Sequence, residues 1–196
     1  MYSLKTKYEL VGERLAGDEG TLLDIGSRDR ILRPHLPPRW NYVAADVRPG
    51  LDLTWDLERP LPAPDGAYDA VAALDVLEHV ENIHGAFAEL LRIARRWVFI
   101  TFPNITSLVL RVQFALKGNV GEKYALFSSH QGDRHRWLTA FPRYCAFVRE
   151  GAEKRGWRWE RLDLVRGFTR LQAVASRLPL PPGLKTHTSL FELTRR

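Results

Sequence analysis

Three aspartates stand where apolar runs end, and another lies between two of those runs. Asp24 and Gly26 close the run over 21–26, Asp46 lies at the end of 41–47, and Asp75 follows 68–74. Asp56 lies in the irregular stretch between the last two runs. A buried strand that stops at an acid and a glycine reads as a nucleotide-type ligand site. Glycine lets the backbone turn sharply and approach a ligand closely, and a second acid can accept hydrogen bonds from both hydroxyls of a ribose. One acid at a strand end means little; several in register mean much more. His79, His130 and His135 are the side chains suited to taking a proton near neutral pH. His79 follows the fourth acid. His130 and His135 flank Gln131, Gly132, Asp133 and Arg134, a polar segment that could close over a substrate or be only a solvated loop. No metal site is expected, because the three histidines have no recognised ligand spacing and Cys145 is the lone cysteine. A lone cysteine also excludes an intramolecular disulfide.

The elements that must position these residues follow from pattern. Leu4, Tyr8, Val11 and Leu15 are spaced as a helical stripe over 3–17. The apolar runs 21–26, 41–47, 68–74 and 96–102 read as strands, with a brief one at 51–55; the run 68–74 is apolar enough to be buried on both faces, as in a parallel sheet. Between the main strands lie a short helix at 28–35, stopped by Pro37 and Pro38, and a helix at 82–95. Beyond Pro103 the alternation loosens. Helices are expected at 105–117 and 142–154, late strands at 157–165 and 189–194, loop at 118–140, and a helix followed by an extended loop at 166–187. Strands alternating with helices indicate α/β architecture. In open α/β sheets a ligand lies beyond the carboxyl ends of the strands, which is where Asp24, Asp46 and Asp75 fall.

The 196 residues fit a single domain, with a ligand-binding half over about 18–104 and a substrate or cover half over about 105–196. A hydrophobic content of 45% against 27% charged residues excludes a disordered chain. The net charge of +6 permits an anionic partner such as nucleic acid without requiring one, since the arginines are scattered. The N-terminus lacks the apolar core of a signal peptide, and no run is long enough for a membrane span; a cytoplasmic location is the expectation.

These residues resemble the class I S-adenosylmethionine-dependent methyltransferases over roughly 20–104, in particular the type 11-like members. Leu22-Leu23-Asp24-Ile25-Gly26-Ser27 is similar to the family's first motif, and Asp46 to the acid that holds both ribose hydroxyls. Asp56-Leu57 resembles the pair that contacts the adenine through a carboxylate and a backbone amide. The segment from Tyr68-Asp69 through Leu74-Asp75-Val76-Leu77-Glu78-His79 resembles the fourth-strand motif and its loop, and Phe102-Pro103-Asn104 fits the end of the fifth strand. The resemblance implies a Rossmann-like fold: a mostly parallel seven-stranded sheet flanked by helices, with the last strand antiparallel. It implies S-adenosyl-L-methionine as cofactor and S-adenosyl-L-homocysteine as product. The implied cofactor residues are Asp24, Gly26, Ser27, Arg28, Asp46, Val47, Asp56, Leu57, Leu74 and Asp75. Gly26 is the one glycine left in a loop where the family carries two or three; Arg28 and Arg30 stand where others are common. Arg28 could turn outward or hold the methionine carboxylate as a bidentate partner.

The expected function is methyl transfer to a small-molecule acceptor, with His79, His130 or His135 as base if the acceptor is a hydroxyl. The glycine-poor loop motivates an alternative, a non-catalytic binding protein on the same fold. The basic charge motivates another, an RNA methyltransferase. A nicotinamide dehydrogenase is disfavoured, because the Gly-x-Gly-x-x-Gly spacing is missing.

Overall fold

In the computed structural model, residues 2–120, 124, 134–165 and 179–195 are described. Their strands are β1 (Tyr2–Ser3), β2 (Gly20–Ile25), β3 (Trp40–Asp46), β4 (Leu53–Thr54), β5 (Tyr68–Ala73), β6 (Ala94–Pro103), β7 (Trp157–Leu164) and β8 (Thr188–Arg195). Their helices are α1 (Lys7–Arg14), α2 (Ile83–Ile93), α3 (Leu108–Lys117), α4 (Phe141–Glu153) and the single turn α5 (Pro182–Lys185). Two 3-10 turns, Arg33–His35 and Leu77–His79, complete the set. The strands form one sheet in the order β1-β7-β8-β6-β5-β2-β3-β4. Only β8 runs against its neighbours, β6 and β7; every other pairing is parallel.

The period-2 alternation of the central strands splits the core between the two faces of the sheet. Leu22, Tyr42, Ala44, Ala70 and Ala72 pack with Val11 of α1 and Leu15, the residue just past it, on one face. Leu23, Ile25, Val71, Ala73, Val98 and Ile100 pack on the other with Phe87 and Leu90 of α2 and Tyr144 and Val148 of α4. Asp24 falls between Leu23 and Ile25, so pleating turns it to the α1 face, the same face as Tyr42.

The expected seven strands become eight. The additional one is β1, two residues paired with Asp163 and Leu164 of β7, too short to leave a periodic signal. The helix expected from residue 3 starts at Lys7 instead. Thr6 caps it: its hydroxyl accepts from the Glu9 amide, and the Glu9 carboxylate accepts from the Thr6 amide. The helix expected at 28–35 shrinks to the turn Arg33–His35, because Pro34 and the two prolines that follow leave no room for another turn. α3 buries none of its residues, and Val112, Phe114 and Leu116 are exposed. The helix expected at the start of 166–187 lies outside the described residues. No described helix is long and apolar enough to cross a membrane.

Candidate active site

Register brings the acids together. Asp24 pairs with Ala44 and Ala72, Ile25 with Ala45 and Ala73, and Asp46 with Thr54, so β2, β3, β4 and β5 finish side by side at their carboxyl ends. Asp24 is 5% exposed. The Tyr42 hydroxyl donates to its Oδ2 at 2.6 Å. Burial pushes the Asp24 carboxyl up to about 7, against the opposing pull of that hydrogen bond and of the Lys7 charge. Burial and the neighbouring carboxylate push the Tyr42 hydroxyl well above its usual range.

The loop after β2 is fastened to β3 by its backbone: the Gly26 and Ser27 amides both donate to the Ala45 carbonyl, at 2.8 and 3.2 Å. Gly26 has φ of 72°, and a Cβ there would lie 2.6 Å from Val76 Cγ2. The glycine is therefore required both by the turn and by the close approach of the segment after β5. Ser27 is buried and Arg28 is exposed. Arg30, at a position where glycine was the family expectation, adopts φ of 50°. Its guanidinium forms a two-pronged pair with Asp52, both bonds at 3.0 Å, while Asp52 also accepts the Ala44 amide at 2.8 Å. These hydrogen bonds hold the Asp52 carboxyl below its usual range. The loop is thus stapled to the β3–β4 connection by side chains, in place of glycine flexibility.

Asp46 ends β3 half-buried; its Oδ1 accepts from the Arg48 amide at 2.9 Å, and its carbonyl accepts from Trp55 at 3.0 Å. Val47 beside it is exposed. Asp56 makes the equivalent local turn, accepting from the Glu58 amide at 3.0 Å, with Leu57 buried next to it. Leu74 is buried at the end of β5. Asp75 follows with φ of 58°, a backbone region that aspartate visits more readily than most residues. Its amide donates to Thr101 Oγ1 of β6, and that hydroxyl donates back to Asp75 Oδ1, both at 2.7 Å. Lys7 of α1 forms an ion pair with Asp75 Oδ2. The following turn has no side-chain cap, so Asp75 ties α1, β5 and β6 together instead of capping.

Of the three histidines, His79 and His135 are brought face to edge, with ring centroids 4.6 Å apart. His130 lies outside the described residues. Sequence reading missed Tyr42, Lys7, Thr101 and the Arg30–Asp52 pair. Strand parity placed Tyr42 on one face of β3, but nothing in the sequence said that Asp24 would share it.

A family model described as a methyltransferase domain matches residues 3–166. No curated protein matches the sequence. Among solved structures, a small RNA methyltransferase superimposes with a TM-score of 0.69 at 14% identity, over 100% of this chain and 26% of its own; the chain spans about a quarter of that protein's length. The magnesium protoporphyrin IX methyltransferase of Synechocystis, solved with bound S-adenosylhomocysteine, gives a TM-score of 0.61 at 19% identity, over 96% of this chain and 82% of that one. A methyltransferase from Archaeoglobus fulgidus gives 0.58 at 15% identity, over 96% and 94%. At these identities the likeness is one of fold.

Proposed function

The chain belongs to the methyltransferase-domain family, and we propose that it transfers a methyl group from S-adenosylmethionine to a small-molecule acceptor. The observation that carries the reading is the row of carboxylates at the carboxyl ends of the parallel strands, with Asp24 buried and Asp46 at the last residue of β3. This donor set suits the cofactor, which offers a ribose diol, an ammonium and a sulfonium. Carboxylates accept hydrogen bonds from the first and attract the other two.

When bound, the cofactor supplies a methyl group already activated on sulfonium. The chain's task is then to bind, orient and exclude water. Asp46 would accept from both ribose hydroxyls. Asp56 and the Leu57 amide would meet the adenine, with Val47 and Leu74 as apolar neighbours. Gly26 and Ser27 would let the backbone approach the methionine portion, and Arg28 would pair with its carboxylate. Asp24, anchored by Tyr42, would face the cationic end; Asp75, engaged by Thr101 and Lys7, shapes the floor. His79 and His135 stand on and against the turn after β5, within reach of an acceptor placed beyond the strand ends. A nucleic-acid acceptor is the second reading, favoured by the net charge of +6.

The test is calorimetric titration of S-adenosylhomocysteine into wild type and Asp46→Ala. Binding that the substitution weakens supports the site and justifies an acceptor screen with labelled donor. Site-selective labelling of RNA in that screen would favour the second reading. Folded wild type that binds no cofactor, with or without candidate acceptors, would overturn methyl transfer and leave a binding protein on this fold.

A further inference from the structure

Glu78, His79 and His135 converge, and the convergence is built by backbone. Glu78 and His79 lie in the turn Leu77–His79, while His135 belongs to a segment more than fifty positions later that runs against that turn. The Arg136 amide donates to the Glu78 carbonyl at 2.8 Å, Arg136 Nε to the His79 carbonyl at 2.9 Å, and Trp137 Nε1 to the Val80 carbonyl at 2.7 Å. Arg136 also pairs with Glu81 at 3.0 Å. One ligand-type atom from each of Glu78, His79 and His135 lies within 4.8 Å of the other two. Ligands about 2.0–2.2 Å from a shared ion sit roughly 3–3.5 Å apart, so modest side-chain rotation closes the set.

Both rings are held from behind. His79 Nδ1 lies 3.0 Å from the Arg134 carbonyl. A carbonyl only accepts, so this nitrogen carries the proton, and the neutral ring presents its lone pair at Nε2. His135 Nδ1 lies 2.8 Å from the Tyr124 hydroxyl, which itself donates to the Trp137 carbonyl at 3.3 Å. The Tyr124 oxygen therefore accepts from His135 Nδ1, and again Nε2 is the donor atom. An imidazole whose outer N–H is fixed by a carbonyl or hydroxyl is the usual second tier of a metal site. Glu78 is 1% exposed, and carboxylates this far from water are paired or coordinate metals.

We propose that Glu78, His79 and His135 bind a divalent transition-metal ion. Two imidazoles and one carboxylate suit manganese, iron, cobalt or zinc better than magnesium or calcium, which prefer oxygen ligands throughout. Three protein ligands leave coordination positions open beside the turn that follows Asp75. The expectation of no metal site rested on spacing along the chain, and the ligands are assembled across it. The proposal does not depend on the methyl-transfer reading, since metal binding is measurable without cofactor or acceptor.

The experiment uses untagged, chelator-stripped full-length protein dialysed against Co2+ and, separately, Zn2+. Bound metal is measured by mass spectrometry, and the Co2+ complex by its visible absorption. The expected result is about one ion per chain with a Co2+ spectrum showing nitrogen ligation. His135→Ala and His79→Asn should each weaken binding at least tenfold, the Tyr124→Phe variant by roughly tenfold, and His84→Ala, an α2 residue against the Phe147 ring, not at all. Glu78→Gln should also lose the ion; because Glu78 is buried, circular dichroism checks that this variant folds, and the two histidine variants carry the test. Wild type that takes up no ion, or whose ion is retained in His135→Ala and His79→Asn alike, overturns the proposal.

Discussion

The Tyr42 hydroxyl reaches Asp24 Oδ2 across 2.6 Å between two adjacent parallel strands. That contact gives the buried acid a donor while leaving its carboxyl raised to about 7. In the unfolded chain the same group titrates near its ordinary 3.8, so between those values the folded state holds a proton that the unfolded state has lost. Asp24 therefore costs stability as pH rises through this window, and the cost is complete above about pH 7. The uncharged isostere in Asp24→Asn removes it. We expect this variant to match wild type near pH 4 and to exceed it at pH 8 by a few kcal/mol, on the order of 2–4. Urea unfolding at the two pH values measures it; equal gains at both would dismiss the account.

Asp46 has the opposite character: half-buried, tied to its own loop through Oδ1 and the Arg48 amide, and under the proposed function the acid that meets the ribose. Asp46→Ala should leave the thermal midpoint almost unchanged. It should weaken S-adenosylhomocysteine about 10–100-fold, the worth of one or two charge-assisted hydrogen bonds. A large loss of stability with unchanged affinity would assign Asp46 a structural role instead.

Gly26→Ala tests two separate constraints at one position. The φ of 72° costs an alanine roughly 1–2 kcal/mol. Its Cβ, 2.6 Å from Val76 Cγ2, adds a packing cost of about 1–3 kcal/mol. Val76→Ala in the same chain should recover the packing part only. Denaturation of the single and double variants separates them; full recovery would mean that the backbone angle is not restrictive.

α1 is tied to the sheet by Arg14, whose Nε donates to Glu192 of β8, a residue only 5% exposed. Burial raises the Glu192 carboxyl and Arg14 opposes that rise. Arg14→Met leaves the buried acid without its nearest cation. The expected loss is about 1–3 kcal/mol at pH 7, at the low end for a buried pair because Arg14 is half exposed. Protonating Glu192 removes the charge that Arg14 offsets, so the loss should fade as pH is lowered into the acid range. A loss independent of pH would point to packing of the Arg14 stem.

The sequence by itself determined the strand-helix alternation and the ends of the central strands. Asp24, Asp46 and Asp75 could be placed at those ends because apolar runs in a parallel sheet are long enough to read, and acids stop them. Gly26 was legible for the same reason. It could not determine what each acid faces. Tyr42 shares a face with Asp24 only because β2 and β3 pair in one register, Leu22 beside Tyr42, and a shift of one residue would separate them. Lys7 meets Asp75, and Thr101 meets it from β6, through contacts spanning 68 and 26 positions. His79 and His135 likewise meet only after the 134–137 segment hydrogen-bonds along the turn after β5. Local pattern records which residues a strand buries; the partner that completes a charge or holds a proton comes from a distant part of the chain, and only the packed fold selects it.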